Sequence, residues 1–333
     1  MGLAENLAPR LQAAVRHHLG APGEIGDLKR LTGGATKATW SFTADSIPLV
    51  LQLASPRPAL TPGDPLAELP RVVGAEDAAM MMAAAAAGVP APAVRAVLTP
   101  EDGLGVGCIM DFVAGETIAR RILREPQFEP LRQRFAEQCG DILARLHRHA
   151  PAALPFLRRF GAAEQVAHYR RVYAALDHPQ PAIELGLRWA ETELPRGHAT
   201  AVLHGDFRLG NLICGDEAIR AVIDWELAAL GDPAQDLGWL CVKTWRFGGK
   251  LPVGGMARRE ALLAAYRGAG GAAIDLAHLR FWEVFGSVKW AIMCLMKGRE
   301  HRRTGRATVE QMAIGRRMEE PLFDFLQLLA GED

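Results

Sequence analysis

A chain of 333 residues with 49% hydrophobic content can bury a large core, and that length is usually divided between two domains or lobes. Its formal net charge of +0 and pI near 7.2 give no electrostatic case for nucleic acid or an anionic membrane as partner. The five cysteines (Cys108, Cys139, Cys214, Cys241 and Cys294) contain no C-x-x-C pair, so they read as buried thiols of a reducing, cytoplasmic compartment, with no zinc site and no disulfide framework.

From the start, Met1 to Arg10 lacks the apolar run of a signal peptide, and Leu7 to Leu19 has helical spacing, with Leu7, Leu11, Val15 and Leu19 nearly in line. Short strands are expected at Ile25 to Leu31, Thr39 to Thr43 and Pro48 to Leu53, with turns at Gly33-Gly34 and Asp45-Ser46. The proline-rich stretch from Ser55 to Pro70 reads as a loop. Alanine and methionine propensity makes Glu76 to Ala87 a helix, which Gly88-Val89-Pro90 ends. Ala78 to Val89 is too short to span a bilayer. Two more strands follow, Val94 to Leu98 and Gly107 to Phe112, and then Val113-Ala114-Gly115 as a hinge. Beyond it the pattern turns helical: Leu131, Phe135, Cys139, Ile142, Leu143 and Leu146 share one face, and a similar stripe runs from Met312 through Met318, Leu322 and Phe325 to Leu329. The organisation is therefore α+β, with a small sheet-rich lobe over residues 1–112 and a larger, mainly helical lobe over 113–333.

The chemistry concentrates in His204-Gly205-Asp206-Phe207-Arg208-Leu209-Gly210-Asn211 and in Val222-Ile223-Asp224-Trp225-Glu226. Phosphoryl transfer needs a carboxylate to take the proton of the attacking hydroxyl and oxygen ligands to hold Mg²⁺ on the phosphates. Asp206 fits the first role, and Asn211 and Asp224 fit the second. The Asp206-to-Asn211 spacing matches the catalytic-loop pattern H-R-D-L-x-x-x-N, with Gly205 in place of the arginine.

These segments, together with Gly231-Asp232-Pro233 and Asp236-Leu237-Gly238, resemble the aminoglycoside phosphotransferase and choline kinase-like family, within it the branch associated with acyl-CoA dehydrogenases. The resemblance implies a protein kinase-like two-lobed fold, with a small antiparallel-sheet N-lobe that binds nucleotide and a C-lobe carrying the catalytic loop, metal and acceptor sites. It implies ATP as co-substrate, with GTP as the alternative, Mg²⁺ as metal, and a small-molecule acceptor. For that branch the acceptor would be a hydroxyacyl-CoA or hydroxy acid. An aminoglycoside-type antibiotic kinase and a catalytically silent nucleotide-binding module are the other readings.

In such a fold Gly33, Gly34 and Thr36 form a phosphate loop, the glycines admitting backbone amides to the phosphates. The third strand departs from the pattern: Gln52 stands where a lysine or arginine normally binds the α and β phosphates. Lys37 and Arg208 are the cations available to compensate, Arg208 standing two residues after the base. Glu76 is the favoured helix partner, with Asp77 as the alternative. Met110 and Phe112 lie on the strand whose backbone would read the base edge. His204 is expected to orient the loop, Asp236 to cap a helix while bracing the loop, and His147 to pack. The acceptor pocket is expected from Trp225, Glu226, Trp239, Lys243, Trp245, Arg246, Phe281, Trp282, Glu283 and Lys289, a mixture suited to an apolar or anionic acceptor rather than a polycation.

Overall fold

The computed structural model describes residues 7–20, 24–31, 37–55, 69, 71–197, 199–304 and 309–332. Gly33, Gly34 and Thr36 lie outside the described residues. The first part of the chain runs α1 (Leu7–Leu19), β1 (Ile25–Leu31), β2 (Lys37–Ala44), β3 (Ile47–Ala54), α2 (Ala75–Ala86), β4 (Val94–Val97) and β5 (Gly107–Asp111). The strands form one antiparallel sheet in the order β1-β2-β3-β5-β4. Asp45 and Ser46 both take positive φ, 49° and 69°, which suits the tight two-residue hairpin joining β2 and β3 and fixes the register Ala44 to Ile47 and Lys37 to Ala54. Alternation along β3 sends Leu49, Leu51 and Leu53 into a cluster with Leu7, Leu11 and Val15 of α1. Val50, Gln52 and Ala54 face the other way, where α2 packs Met80 and Met81 beside Cys108 and Met110.

The remainder is mainly helical: α3 (Ala119–Arg124), α4 (Glu129–Gln133), α5 (Phe135–His147), α6 (Ala162–Leu176) and α7 (Pro181–Thr192) come first. Four short strands follow, β6 (Ala201–Leu203), β7 (Leu212–Cys214), β8 (Ile219–Val222) and β9 (Ala229–Gly231). They pair as β6 with β9 and β7 with β8, two small ribbons that carry the loops of interest. The chain closes with α8 (Ala234–Cys241), α9 (Arg259–Gly268), α10 (Leu276–Thr304), α11 (Val309–Gly315) and α12 (Glu319–Leu329). A small antiparallel sheet joined to this larger helical part is the protein kinase-like two-lobed fold expected above.

Two helices read as continuous are divided. Arg134, with φ −106° and ψ 8°, separates α4 from α5, although Leu131 and Phe135 still enter one core cluster. The stripe from Met312 to Leu329 spans two helices, because Gly315 ends α11 with its backbone against Gly298 of α10, where an added Cβ would sit 2.2 Å from the Gly298 Cα. Met312 and Leu329 are consequently 41% and 38% exposed, and Leu322, Phe325 and Leu328 form the buried stripe instead. All five cysteines are free and buried, and burial pushes the thiols of Cys108, Cys214 and Cys294 up to about 12. Among the described residues no helix is long and apolar enough to cross a membrane.

Candidate active site

The loop after β6 is held by its own backbone and by one buried carboxylate. Gly205 has φ +81°, and a Cβ there would meet the Leu227 carbonyl oxygen at 2.2 Å, so the turn requires glycine. Asp236 Oδ1 accepts the Gly205 N–H (2.9 Å), and its Oδ2 accepts the His204 N–H (2.8 Å) and His147 Nε2 (3.2 Å). His147 Nδ1 completes the chain with the Tyr266 hydroxyl at 2.9 Å. Burial alone would raise the Asp236 carboxyl, but His147, His204 and these hydrogen bonds outweigh it and hold the carboxyl low. Asp236 therefore braces the loop without being a cap: it is the third residue of α8, and Asp232 Oδ1 accepts the Ala234 N–H (3.0 Å) at the helix start. Asp236→Ala would strand two backbone N–H groups and a buried imidazole, each worth about 1–3 kcal/mol. Urea unfolding of this variant should show a lower midpoint, by about 3–5 kcal/mol in stability, and an unchanged midpoint would refute the brace.

His204 is buried, and burial pushes its imidazole down. The neutral ring satisfies both nitrogens: Nδ1 accepts the Asp206 N–H (3.1 Å) and Nε2 donates to the Ile223 carbonyl (3.0 Å). That second bond ties the Asp206 loop to the strand end leading to Asp224. The Ile223 N–H donates to the Asn211 carbonyl (3.0 Å) and makes the same connection from the other side.

Three side chains converge on the Asp206 carboxylate. Trp239 Nε1 donates to Oδ1 (2.7 Å), Arg208 Nε lies 3.2 and 3.3 Å from the two oxygens, and Asn211 Nδ2 donates to Oδ2 (2.7 Å). Asn211 Nδ2 also donates to the Asp206 backbone carbonyl (2.9 Å), which commits the amide nitrogen and leaves Oδ1 for another partner. The Arg208 guanidinium stacks over Trp245 at 4.6 Å. Asp224 stands in the left-handed region, φ 69° and ψ 58°, a rare conformation for a non-glycine residue. Its side chain keeps 35% exposure, and burial followed by Glu226 raises its carboxyl to about 6. An Asn oxygen and an ionisable carboxylate suit Mg²⁺, a hard cation that usually completes its shell with phosphate and water oxygens. Asn211 and Asp224 are the two candidate ligands, and the described residues hold no group of three or more His, Cys, Asp or Glu arranged for a metal.

Lys37 opens β2, with Nζ 2.8 Å from Asp77 Oδ2 and 3.7 Å from Asp224 Oδ1. Burial would lower its ammonium, yet Asp77 and Asp224 outweigh that and raise it. The helix partner is thus Asp77 and not Glu76. One helical residue is a 100° rotation, and Asp77 shares the buried face with Met80, Met81 and Ala84, while Glu76 is exposed. Gln52 pairs with Thr39, which puts it diagonal to Lys37 on the same face of the sheet. Both line a narrow crevice with Asp77, Gly107, Cys108 and Glu226, where Asp77 Oδ1 and Glu226 Oε2 have no hydrogen-bond partner among the described residues.

The N–H groups at the end of β5 are committed within the sheet. Met110 is buried and pairs with Val50 and Val94 on both edges, and the N–H groups of Asp111 and Phe112 donate to the Ala93 and Pro48 carbonyls (2.9 and 3.2 Å). Any amide offered to a base must come from beyond Phe112. The acceptor-side segment is also narrower than expected. Arg246 and Arg259 are buried against Glu283 (2.9 and 2.6 Å), Lys243 pairs with Asp324 at the surface, and Phe281 and Trp282 belong to the core. Trp239, Trp245 and Lys289 remain beside Asp206 and Arg208.

Comparison with known proteins gives the family and the fold. The family model described as the phosphotransferase enzyme family matches residues 27–282. Acyl-CoA dehydrogenase family member 10 of Mus musculus is 34% identical over 173 residues, which are 49% of this chain and 16% of that relative's length. Among solved structures, a choline/ethanolamine kinase family protein from Mesorhizobium loti aligns with a TM-score of 0.62 at 20% identity, covering 97% of each chain. A spectinomycin phosphotransferase in complex with ADP and spectinomycin aligns with a TM-score of 0.65 at 14% identity, covering 96% of this chain and 98% of that one. At these identities the structural likeness establishes the fold alone.

Proposed function

Since the chain belongs to the phosphotransferase enzyme family, we propose that it is a Mg²⁺-dependent O-phosphotransferase that moves the γ-phosphoryl group of ATP to the hydroxyl of a small acceptor. The observation that carries this reading is the Asp206 carboxylate, fixed by Trp239, Arg208 and Asn211, with Asn211 turning its free oxygen away from that contact. In this reading Asp206 takes the acceptor proton, and Asn211 and Asp224 hold the metal. Lys37 supplies the phosphate-anchoring ammonium that Gln52 lacks, and Arg208 stabilises the charge in flight. Gly33, Gly34 and Thr36 would cover the phosphates. When bound, Mg²⁺ would neutralise charge on the phosphate oxygens. The Lys37–Asp77 pair favours catalysis over a silent binding module, whose main support was the neutral Gln52. Similarity to an acyl-CoA dehydrogenase family member suggests a hydroxyacyl-CoA or hydroxy acid as acceptor.

Calorimetric titration of ATP with and without Mg²⁺ tests the reading. The parent should bind ATP more tightly with the metal, and Asp224→Ala should lose that gain while keeping its fold; unchanged Mg²⁺-ATP affinity in the variant sinks the metal assignment. The parent's gain should also fade as pH drops below about 6, because the raised Asp224 carboxyl takes up a proton there and a protonated acid is a poor ligand. A gain that is flat across that pH range would exclude Asp224 as the ligand.

A further inference from the structure

The indole of Trp239, which donates to Asp206 Oδ1 at 2.7 Å, is itself held from several sides. It lies in the seam between α8 and α10, where the helices approach so closely that a Cβ added to Gly238 would sit 2.5 Å from the Trp282 Cβ. On α10, Gly286 leaves room for the indole, since a Cβ there would meet Trp239 Cε3 at 3.3 Å. Trp245 packs against the same ring, with centroids 5.2 Å apart. One turn beyond Gly286, Lys289 sets its ammonium over the indole face, with Nζ 4.7 Å from the ring centroid.

Lys289 is 7% exposed, and keeping an ammonium there is costly. Burial lowers it to about 8, with the Asp206 and Asp236 carboxylates opposing the shift, so at neutral pH it is mostly charged. An apolar side chain of similar size would fill the position without the cost of burying a charge, so packing alone does not account for a lysine. The contacts run in series: ammonium, indole, carboxylate. A cation over an aromatic face attracts the electrons of the ring, and interactions in series polarise one another, so the indole N–H becomes a stronger donor.

We propose that Lys289 is a positioning residue for the base: through the Trp239 indole it strengthens the bond to Asp206 Oδ1 and so holds the carboxylate in the orientation from which it meets the acceptor hydroxyl. This rests on the reading of Asp206 as the base. Oδ1 takes the Trp239 N–H and Oδ2 takes Asn211 Nδ2 at 2.7 Å, so the carboxylate cannot turn about its Cβ–Cγ bond without breaking both. Catalysis of phosphoryl transfer is largely positioning, and a carboxylate held less firmly costs turnover without costing nucleotide affinity.

NMR of the isotope-labelled protein reads the indole bond without turnover. The chain has seven tryptophans, and Trp239→Phe identifies the Trp239 signal by its loss. In Lys289→Met that N–H proton resonance should move upfield, toward a weaker hydrogen bond, whereas Lys289→Arg, which keeps a cation on the ring, should stay near the parent. With any acceptor the parent phosphorylates, Lys289→Met should lower kcat roughly three- to tenfold at unchanged KM for Mg²⁺-ATP, and Lys289→Arg should recover most of that loss. Trp239→Phe keeps a ring and removes the N–H, so adding Lys289→Met to it should lower kcat by less than about twofold further. Mg²⁺-ADP affinity equal to the parent's in each variant certifies the fold. An indole resonance unmoved in Lys289→Met, methionine and arginine variants that behave alike, or equal losses from Lys289→Met with and without the Trp239 N–H would overturn the proposal. Failure of the parent to phosphorylate any acceptor would count against the phosphotransferase reading instead, while the resonance still decides the coupling of Lys289 to Trp239.

Discussion

Asp206→Asn should lower turnover by roughly 10² to 10⁴ while Mg²⁺-ATP affinity stays close to that of the parent. The substitution keeps the shape of the side chain and removes its capacity to take a proton. Its amide oxygen can stay on the side where Trp239 and Arg208 donate, which places its NH₂ against the Asn211 Nδ2 donor and removes that one bond. Asn211 Nδ2 keeps its second acceptor, the backbone carbonyl of residue 206, at 2.9 Å, and that bond opposes a flip of the amide. Asn211 Oδ1, the proposed metal ligand, would then keep its place, so nucleotide binding should persist. Steady-state kinetics with any acceptor the parent phosphorylates, alongside calorimetry with Mg²⁺-ATP, separates the two effects. Equal turnover in parent and variant would remove Asp206 as the base. A parallel fall in turnover and nucleotide affinity would mean that its part is to hold Asn211.

The elements that could be read from the sequence are those whose signal is local. Alternation in Leu49, Leu51 and Leu53 and the Asp45-Ser46 turn define a hairpin, and the structure places both as read. That hairpin also implies the register, and counting back from the turn puts Lys37 opposite Ala54 and diagonal to Gln52. The relation was available in the sequence but is obscured when Lys37 is assigned to the preceding loop. The choice between Glu76 and Asp77 could not be read, since α2 is so rich in alanine and methionine that its hydrophobic phase points nowhere until a core is packed against it. The Trp239 bond to Asp206 and the place of Lys289 over the Trp239 ring depend on contacts between segments far apart in the chain, and no spacing rule encodes them. Composition drew attention to the aromatic and cationic segment, yet only packing shows that Arg246 is committed to Glu283 while Lys289 is not.

Lys37→Met should weaken Mg²⁺-ATP binding by about 10- to 100-fold, the equivalent of roughly 1.5–3 kcal/mol for a lost charge-assisted hydrogen bond. The same change leaves Asp77 buried without its cation, which should cost stability on the order of 3–5 kcal/mol. These two losses need to be separated, and Lys37→Met/Asp77→Asn does so. With the carboxylate neutralised, thermal stability should return toward the parent value, but ATP affinity should not. A direct test of the β2 ammonium is to move it: Lys37→Gln/Gln52→Lys transfers the charge between diagonal neighbours on one sheet face, and the new lysine should reach the same crevice. Calorimetry should show that this double variant recovers most of the affinity lost in Lys37→Gln alone. If Lys37→Met/Asp77→Asn binds Mg²⁺-ATP as tightly as the parent, Lys37 is a structural partner of Asp77 and the phosphates are anchored elsewhere.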